Sequence, residues 1–268
     1  MQEASFSIGE RTVTVGVTDG VGQPLIMMHG LAGSSRSFLK VTDALVSAGY
    51  RPITLNMPGY GGSDPLPDLY PEPKAIAAAV VATLDRLDLP GVDVLGHSLG
   101  GLLAATLAYH FPTRVRRMVL SSPPRGFALT GEPADWPDSQ TQRIADLDAE
   151  GALAYGKKRA PGLCAPDATA EAVSSVRTEM ERLTHAGLTT ASALFARGDL
   201  LACMRGVVCP TAFIGAQLDR IVPEAVVIET ATLTQRPYLI LPLVAHAAYA
   251  EAPQAYAEAV INAFSMAR

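Results

Sequence analysis

Apolar and polar residues alternate over residues 4–8 and 11–18, with Val and Thr prominent and a Gly9-Glu10 step between them, which predicts a β-hairpin. Downstream the pattern changes. Short apolar runs at 24–28, 51–55, 92–95, 117–121, 210–214 and 237–242 are bounded by turn residues, as in strands buried on both faces of a parallel sheet. Helical spacing fills the gaps. Phe38, Val41, Leu45 and Ala48 share one face, as do Ile76, Val80, Leu84 and Leu87, and later Tyr256, Val260 and Phe264. Strand and helix in alternation predict an α/β fold, a mostly parallel eight-stranded sheet with helices on both faces.

Between Pro123 and Cys209 the strands drop out. Helices are predicted at about 139–150, 151–160, 168–184 and 186–197, with Ser139 and Gln142 spaced as a capping box. Val173, Val176, Met180 and Leu183 make an apolar stripe suited to packing onto the main domain. The expected organisation is a core of residues 1–125 and 201–268, interrupted by a helical cap over 126–200.

Composition narrows the classes. With 268 residues, 49% hydrophobic and 18% charged, the chain reads as globular. A net charge of −5 without a basic block argues against nucleic acid as a partner. No run of about 18 apolar residues is present, so no membrane span is expected. Residues 1–11 lack the order of a signal peptide, and a cytoplasmic location is the expectation. Cys164, Cys203 and Cys209 have no metal-ligand or disulfide spacing and read as small apolar filler. Neither a metal nor a cofactor is expected. The oligomeric state is not legible.

The sharpest chemical signal is Gly96-His97-Ser98-Leu99-Gly100-Gly101, between the strand at 92–95 and an apolar helix at 99–111. A serine hydroxyl is a poor nucleophile unless it is held exposed beside a base. A tight strand–turn–helix bend does this, and glycines two residues to either side leave room for it. Acyl transfer also needs donors for a developing oxyanion. The backbone N–H of Leu99, at a helix N-terminus, is one candidate. The N–H of Leu31, in the loop His29-Gly30-Leu31-Ala32-Gly33-Ser34, is the other. His29 itself reads as structural.

These segments, with the Pro58-Gly59-Tyr60-Gly61-Gly62-Ser63 turn, resemble the α/β-hydrolase superfamily along nearly the whole chain. Members often carry aspartate where Asn56 stands; that position lies in a structural loop. The resemblance implies the α/β-hydrolase fold and a Ser, then Asp or Glu, then His order of catalytic residues. Of the histidines at 29, 97, 110, 185 and 246, only His246 follows the last strand and precedes a C-terminal helix. It is the expected base, although Ala245 stands where the family usually has glycine. Asp219, in Gly215-Ala216-Gln217-Leu218-Asp219-Arg220-Ile221-Val222-Pro223, is the expected acid, with Asp199 as its rival.

Within the superfamily, the late part of the chain is similar to 3-oxoadipate enol-lactonases and related carboxylester hydrolases. The similarity rests on Trp136, Arg143, Phe195-Ala196-Arg197-Gly198-Asp199 and Ala245 to Pro253. It implies a small ester or lactone substrate, with Trp136 and Arg143 as candidate binding residues; for a substrate that carries a carboxylate, Arg143 and then Arg125, just after the strand at 117–121, are the candidate partners. A carbon–carbon bond hydrolase of a vinylogous diketone would use the same triad. A haloalkane dehalogenase needs a carboxylate in place of Ser98 and is excluded. A non-catalytic hydrolase-fold binding protein is a third class.

Overall fold

The first strands, β1 (Gln2–Ile8) and β2 (Arg11–Val17), pair antiparallel down to Ile8 opposite Arg11, turned at Gly9 with φ 60°. The structure is a computed structural model and describes residues 1–131, Trp136 and 138–267. Strand β3 (Gln23–Met28) leads through a 3-10 turn at Ser35–Val41 into α1 (Thr42–Ser47). Then come β4 (Tyr50–Leu55), α2 (Pro73–Arg86), β5 (Val92–His97), α3 (Leu99–His110) and β6 (Val115–Ser121). The eight strands are ordered β1-β2-β4-β3-β5-β6 and then two later ones, β7 (Thr211–Ala216) and β8 (Tyr238–Leu241). Every pairing from β4 to β8 is parallel.

Burial explains the runs. All six residues of β5 and of β7 are buried, because helices cover both faces of the sheet. Helix α3 is buried from Leu99 to Ala108, as an all-apolar helix must be. The last helix, α10 (Pro253–Met266), buries Tyr256, Val260 and Phe264, each contributing roughly 1.5–3 kcal/mol from apolar area removed from water.

The helical insertion lies between β6 and β7. Helix α4 (Asp138–Arg159) is broken at Gly151, whose φ 75° and ψ 155° are non-helical, so two arms meet where two helices were expected. Its first turn begins at Asp138. Ser139 is therefore inside the helix, and the Gln142 amide goes to Asp146 at 2.8 Å, not into a capping box. Helix α5 (Ala170–Met180) ends four residues before its expected limit, because Thr184 is needed as the cap of α6 (His185–Arg197) and also donates to the Gly59 carbonyl at 2.7 Å. A short α7 (Leu200–Gly206), capped by Asp199, was not foreseen. Residues 125–129 are laced to 195–200 by backbone bonds, among them Ala128 N–H to Gly198 at 3.0 Å and Leu200 N–H to Arg125 at 2.8 Å. After β7 come α8 (Glu224–Leu233) and, beyond β8, the short α9 (Ala248–Glu251). Among the described residues no helix is long and apolar enough to cross a membrane.

Candidate active site

The carboxyl ends of β3, β5, β6, β7 and β8 lie side by side, so the loops that leave them converge. Ser98 occupies the bend between β5 and α3 at φ 52° and ψ −123°. This sparsely populated conformation is held by the Ser98 N–H bond to Ser121 at 2.7 Å and by Gly101 N–H to the Ser98 carbonyl at 2.8 Å. A Cβ at Gly96 would stand 2.4 Å from the Gly100 oxygen, and one at Gly100 would stand 2.2 Å from the Met28 oxygen. Side chains cannot fit there, which is why the bend is glycine-rich on both sides of the serine.

His246 Nε2 lies 2.9 Å from Ser98 Oγ, and His246 Nδ1 lies 2.8 Å from Asp219 Oδ2. A carboxylate can only accept, so Nδ1 carries the proton and Nε2 offers its lone pair to the serine hydroxyl. The other oxygen of Asp219 accepts the N–H groups of Ile221 and Val222 at 2.8 and 2.9 Å. Burial would raise the Asp219 carboxyl, but the His246 bond, the Val222 N–H and the Ser122 hydroxyl outweigh it and hold the group below its ordinary value. The rival Asp199 is spent on the N-terminus of α7, its oxygen accepting Ala202 N–H at 2.9 Å.

The loop after β3 runs directly against Ser98: a Cβ at Gly30 would stand 2.9 Å from Ser98 Cβ. His29 donates from Nδ1 to the Gly30 carbonyl at 2.8 Å and accepts Met57 N–H at Nε2. Burial lowers its pKa to about 4, so it is a neutral brace. Tyr60 donates its hydroxyl to the Leu31 carbonyl at 2.9 Å. The N–H groups of Leu31 and Leu99 have no hydrogen-bond partner among the described residues, and both residues line the cavity that holds Ser98. Asn56 is structural, bonded to Ser35 N–H and to the Thr14 hydroxyl at 2.8 and 2.7 Å.

This cavity has a volume of about 620 Å³ and is walled on one side by the helical insertion. Arg143 lines it, with its guanidinium 5.4 Å from the Phe195 ring and Nε donating to the Ser139 carbonyl at 3.1 Å. Burial lowers the Arg143 pKa, and no carboxylate of the described residues lies within ion-pair distance. Its neighbours Lys158 and Arg159 are paired with Glu150 and Asp146. The structure does not bring the other two candidate binding residues here. Trp136 is buried against Ala193, Ala196 and Tyr70, with Arg197 over its ring at 5.4 Å. Arg125 turns to α8, where it meets Glu229 and the Thr230 hydroxyl, both at 2.9 Å.

Two further residues of the site were given no role by the sequence. His97 packs its ring 5.0 Å from those of His246 and Tyr249, and burial, with His246 beside it, keeps it neutral. Tyr155 lines the cavity beneath Arg159, with 4.5 Å from guanidinium to ring. Among the described residues no group of three or more His, Cys, Asp or Glu is arranged to hold a metal ion.

A family model described as the alpha/beta hydrolase fold matches residues 23–253. A 2-hydroxy-6-oxononadienedioate/2-hydroxy-6-oxononatrienedioate hydrolase of Cupriavidus pinatubonensis is 32% identical over 106 residues, covering 38% of this chain and only 37% of that protein. Two solved structures share the fold at low identity. A thermophilic esterase from Thermogutta terrifontis superposes with a TM-score of 0.83 at 19% identity, over 98% of this chain and 97% of that one. The enol-lactonase from Burkholderia xenovorans gives 0.83 at 18%, over 98% and 100%.

Proposed function

The chain belongs to the α/β-hydrolase family, and from that premise we propose that it is a serine hydrolase of small carboxylic esters or lactones. The observation that carries this reading is the continuous chain of bonds from Asp219 through His246 to Ser98, at 2.8 and 2.9 Å. In the first half-reaction Ser98 Oγ attacks the substrate carbonyl while His246 Nε2 takes its proton. The negative oxygen that forms is met by the N–H groups of Leu31 and Leu99. Collapse breaks the bond to the alkoxide, which takes the proton back from His246. The product of this step is an acyl-enzyme on Ser98, with the alcohol released, or retained on the same chain for a lactone. Water, deprotonated by His246, then attacks the acyl carbonyl and restores the serine. Asp219 keeps the imidazole in the required tautomer and stabilises the imidazolium.

The insertion, residues 126–200, serves as a cap. It excludes water and supplies the wall that selects the acyl group. Arg143 is the cation in that wall without a carboxylate partner among the described residues, which favours a substrate bearing its own carboxylate. Trp136 and Arg125 serve to hold the cap and its junction, not to bind substrate. A second reading, hydrolysis of a carbon–carbon bond in a vinylogous diketone, is favoured by the sequence relative from Cupriavidus pinatubonensis, which is named for such a substrate. Turnover of p-nitrophenyl esters, lactones and ring-fission diketones by the purified protein separates the two. Cleavage of esters or lactones with fluorophosphonate labelling at Ser98 is the expected result. Turnover of the diketones alone favours the second reading. Absence of both turnover and labelling favours the non-catalytic binding reading.

A further inference from the structure

Glu251 closes α9, five residues after His246, and is half-buried. Its two oxygens serve different parts of the molecule. Oε1 accepts the N–H of Ala245, the residue before His246, at 3.1 Å. Oε2 accepts the N–H of Ala165, in the insertion, at 2.9 Å. On the other side of His246, the Ala247 N–H donates to the Leu163 carbonyl at 2.9 Å. Both neighbours of His246 are thus tied to one short turn of the insertion, and Leu163 lines the cavity.

No cation among the described residues forms an ion pair with Glu251. Burial, Asp167 and Asp219 push its carboxyl up, against the pull of its two N–H donors. A carboxylate so placed is an electrostatic cost, tolerable only because both oxygens are satisfied by backbone. A surface ion pair elsewhere, Lys40 with Glu171 at 2.6 Å, also joins core and insertion but touches no residue of the site, which makes it the control for a contact that only seats the insertion.

We propose that Glu251 is a positioning residue that locks the backbone around His246 to the 163–165 turn, making the cap part of the frame that holds Nε2 at its distance from Ser98. The proposal rests on His246 acting as the base. An imidazole displaced by a fraction of an ångström loses alignment with the serine hydroxyl without any loss of binding surface. The loss should therefore appear in nucleophile activation and kcat, not in KM.

The test compares Glu251→Ala, Glu251→Gln and the control Glu171→Gln, each assayed well below its own melting temperature. The readouts are the second-order rate of fluorophosphonate labelling at Ser98, and kcat and KM on a p-nitrophenyl ester. Glu251→Ala should lower labelling and kcat about 10- to 100-fold with KM changed by no more than about threefold. Glu251→Gln keeps one acceptor but sets an NH₂ against the second N–H, and should lose about tenfold. Glu171→Gln should stay within about twofold of the parent. An unchanged labelling rate in folded Glu251→Ala, whatever its melting temperature, overturns the proposal; where that variant does not fold, the same result in Glu251→Gln does so. Failure of the functional reading itself looks different: the parent protein is not labelled at Ser98.

Discussion

His246 Nε2 and Ser98 Oγ meet at 2.9 Å across 148 residues of sequence. Neither belongs to a regular element. One sits in a strained bend after β5 and the other in the loop after β8, and both reach the site because parallel strands deliver their carboxyl ends to one edge of the sheet. Chemistry is carried by loops, and its precision comes from the strands behind them.

The role proposed for Ser98 can be tested apart from the fold. Ser98→Ala keeps the same backbone angles and should remain folded, with kcat lower by about four orders of magnitude or more. At φ 52° alanine is as strained as serine, whereas glycine is not. Ser98→Gly should therefore be more stable than Ser98→Ala by about 1 kcal/mol, and equally inactive. Urea midpoints and turnover measured on the pair check both statements; a Gly variant less stable than the Ala variant would show that the bend is unstrained.

Asp219→Asn preserves shape but removes the charge facing His246 and allows an amide N–H to point at Nδ1. The imidazole then favours the tautomer with its proton on Nε2, which cannot accept from Ser98. kcat should fall about 10⁴-fold with little change in KM. Asp199→Asn should leave kcat within about twofold, since Asp199 only caps α7. The opposite ranking would exchange the two aspartates.

How much of this was legible in the sequence follows from which residues obey local rules. Six strands show as apolar runs because helices cover the sheet, the first two show as a polar–apolar alternation at its edge, and Ser98, Asp219 and His246 stand in motifs tied to strand ends. Residue type alone does not place Arg125 or Trp136: the first, just before the insertion, turns to Glu229, and the second, within it, packs against Ala193 and Ala196, because tertiary packing sets their orientation. The short α7 was missed because seven residues carry too little periodicity to register. Tyr155 stands in no motif that marks it as cavity-lining, and Glu251 meets Ala165, far back along the chain, a pairing no local pattern encodes.

Buried neutral histidine makes a stability prediction. His29 titrates at 6.5 when unfolded and at about 4 in the native state. Above pH 6.5 both states are neutral and its contribution is fully present. As pH falls through this window the unfolded chain takes up a proton that the native state refuses, so stability drops, by about 3 kcal/mol in total once pH 4 is reached. His97 is shifted in the same direction. Urea titrations between pH 7 and 4.5 should give a steeper loss for the parent than for His29→Asn, by about 1.4 kcal/mol per pH unit. Parallel curves would mean that His29 is protonated when folded.

The substrate's charge is the last point open to direct test. Arg143 lines the cavity beside Tyr155, with its Nε bonded to the Ser139 carbonyl, while Lys158 and Arg159 are partly neutralised by their own carboxylates. Desolvation makes an unpaired guanidinium costly in the free enzyme, and a substrate carboxylate arriving bidentately would relieve that cost. Arg143→Met keeps the apolar stem against Phe195 and removes the charge. KM for an anionic ester should rise about 10- to 100-fold, while a neutral ester of equal size changes by no more than about threefold. Arg125→Met serves as the comparison, because its guanidinium is engaged by Glu229 on α8 away from the cavity, and it should not discriminate between the two esters. Equal effects of Arg143→Met on both substrates would show that the guanidinium braces the cap against Phe195 and does not read the substrate's charge.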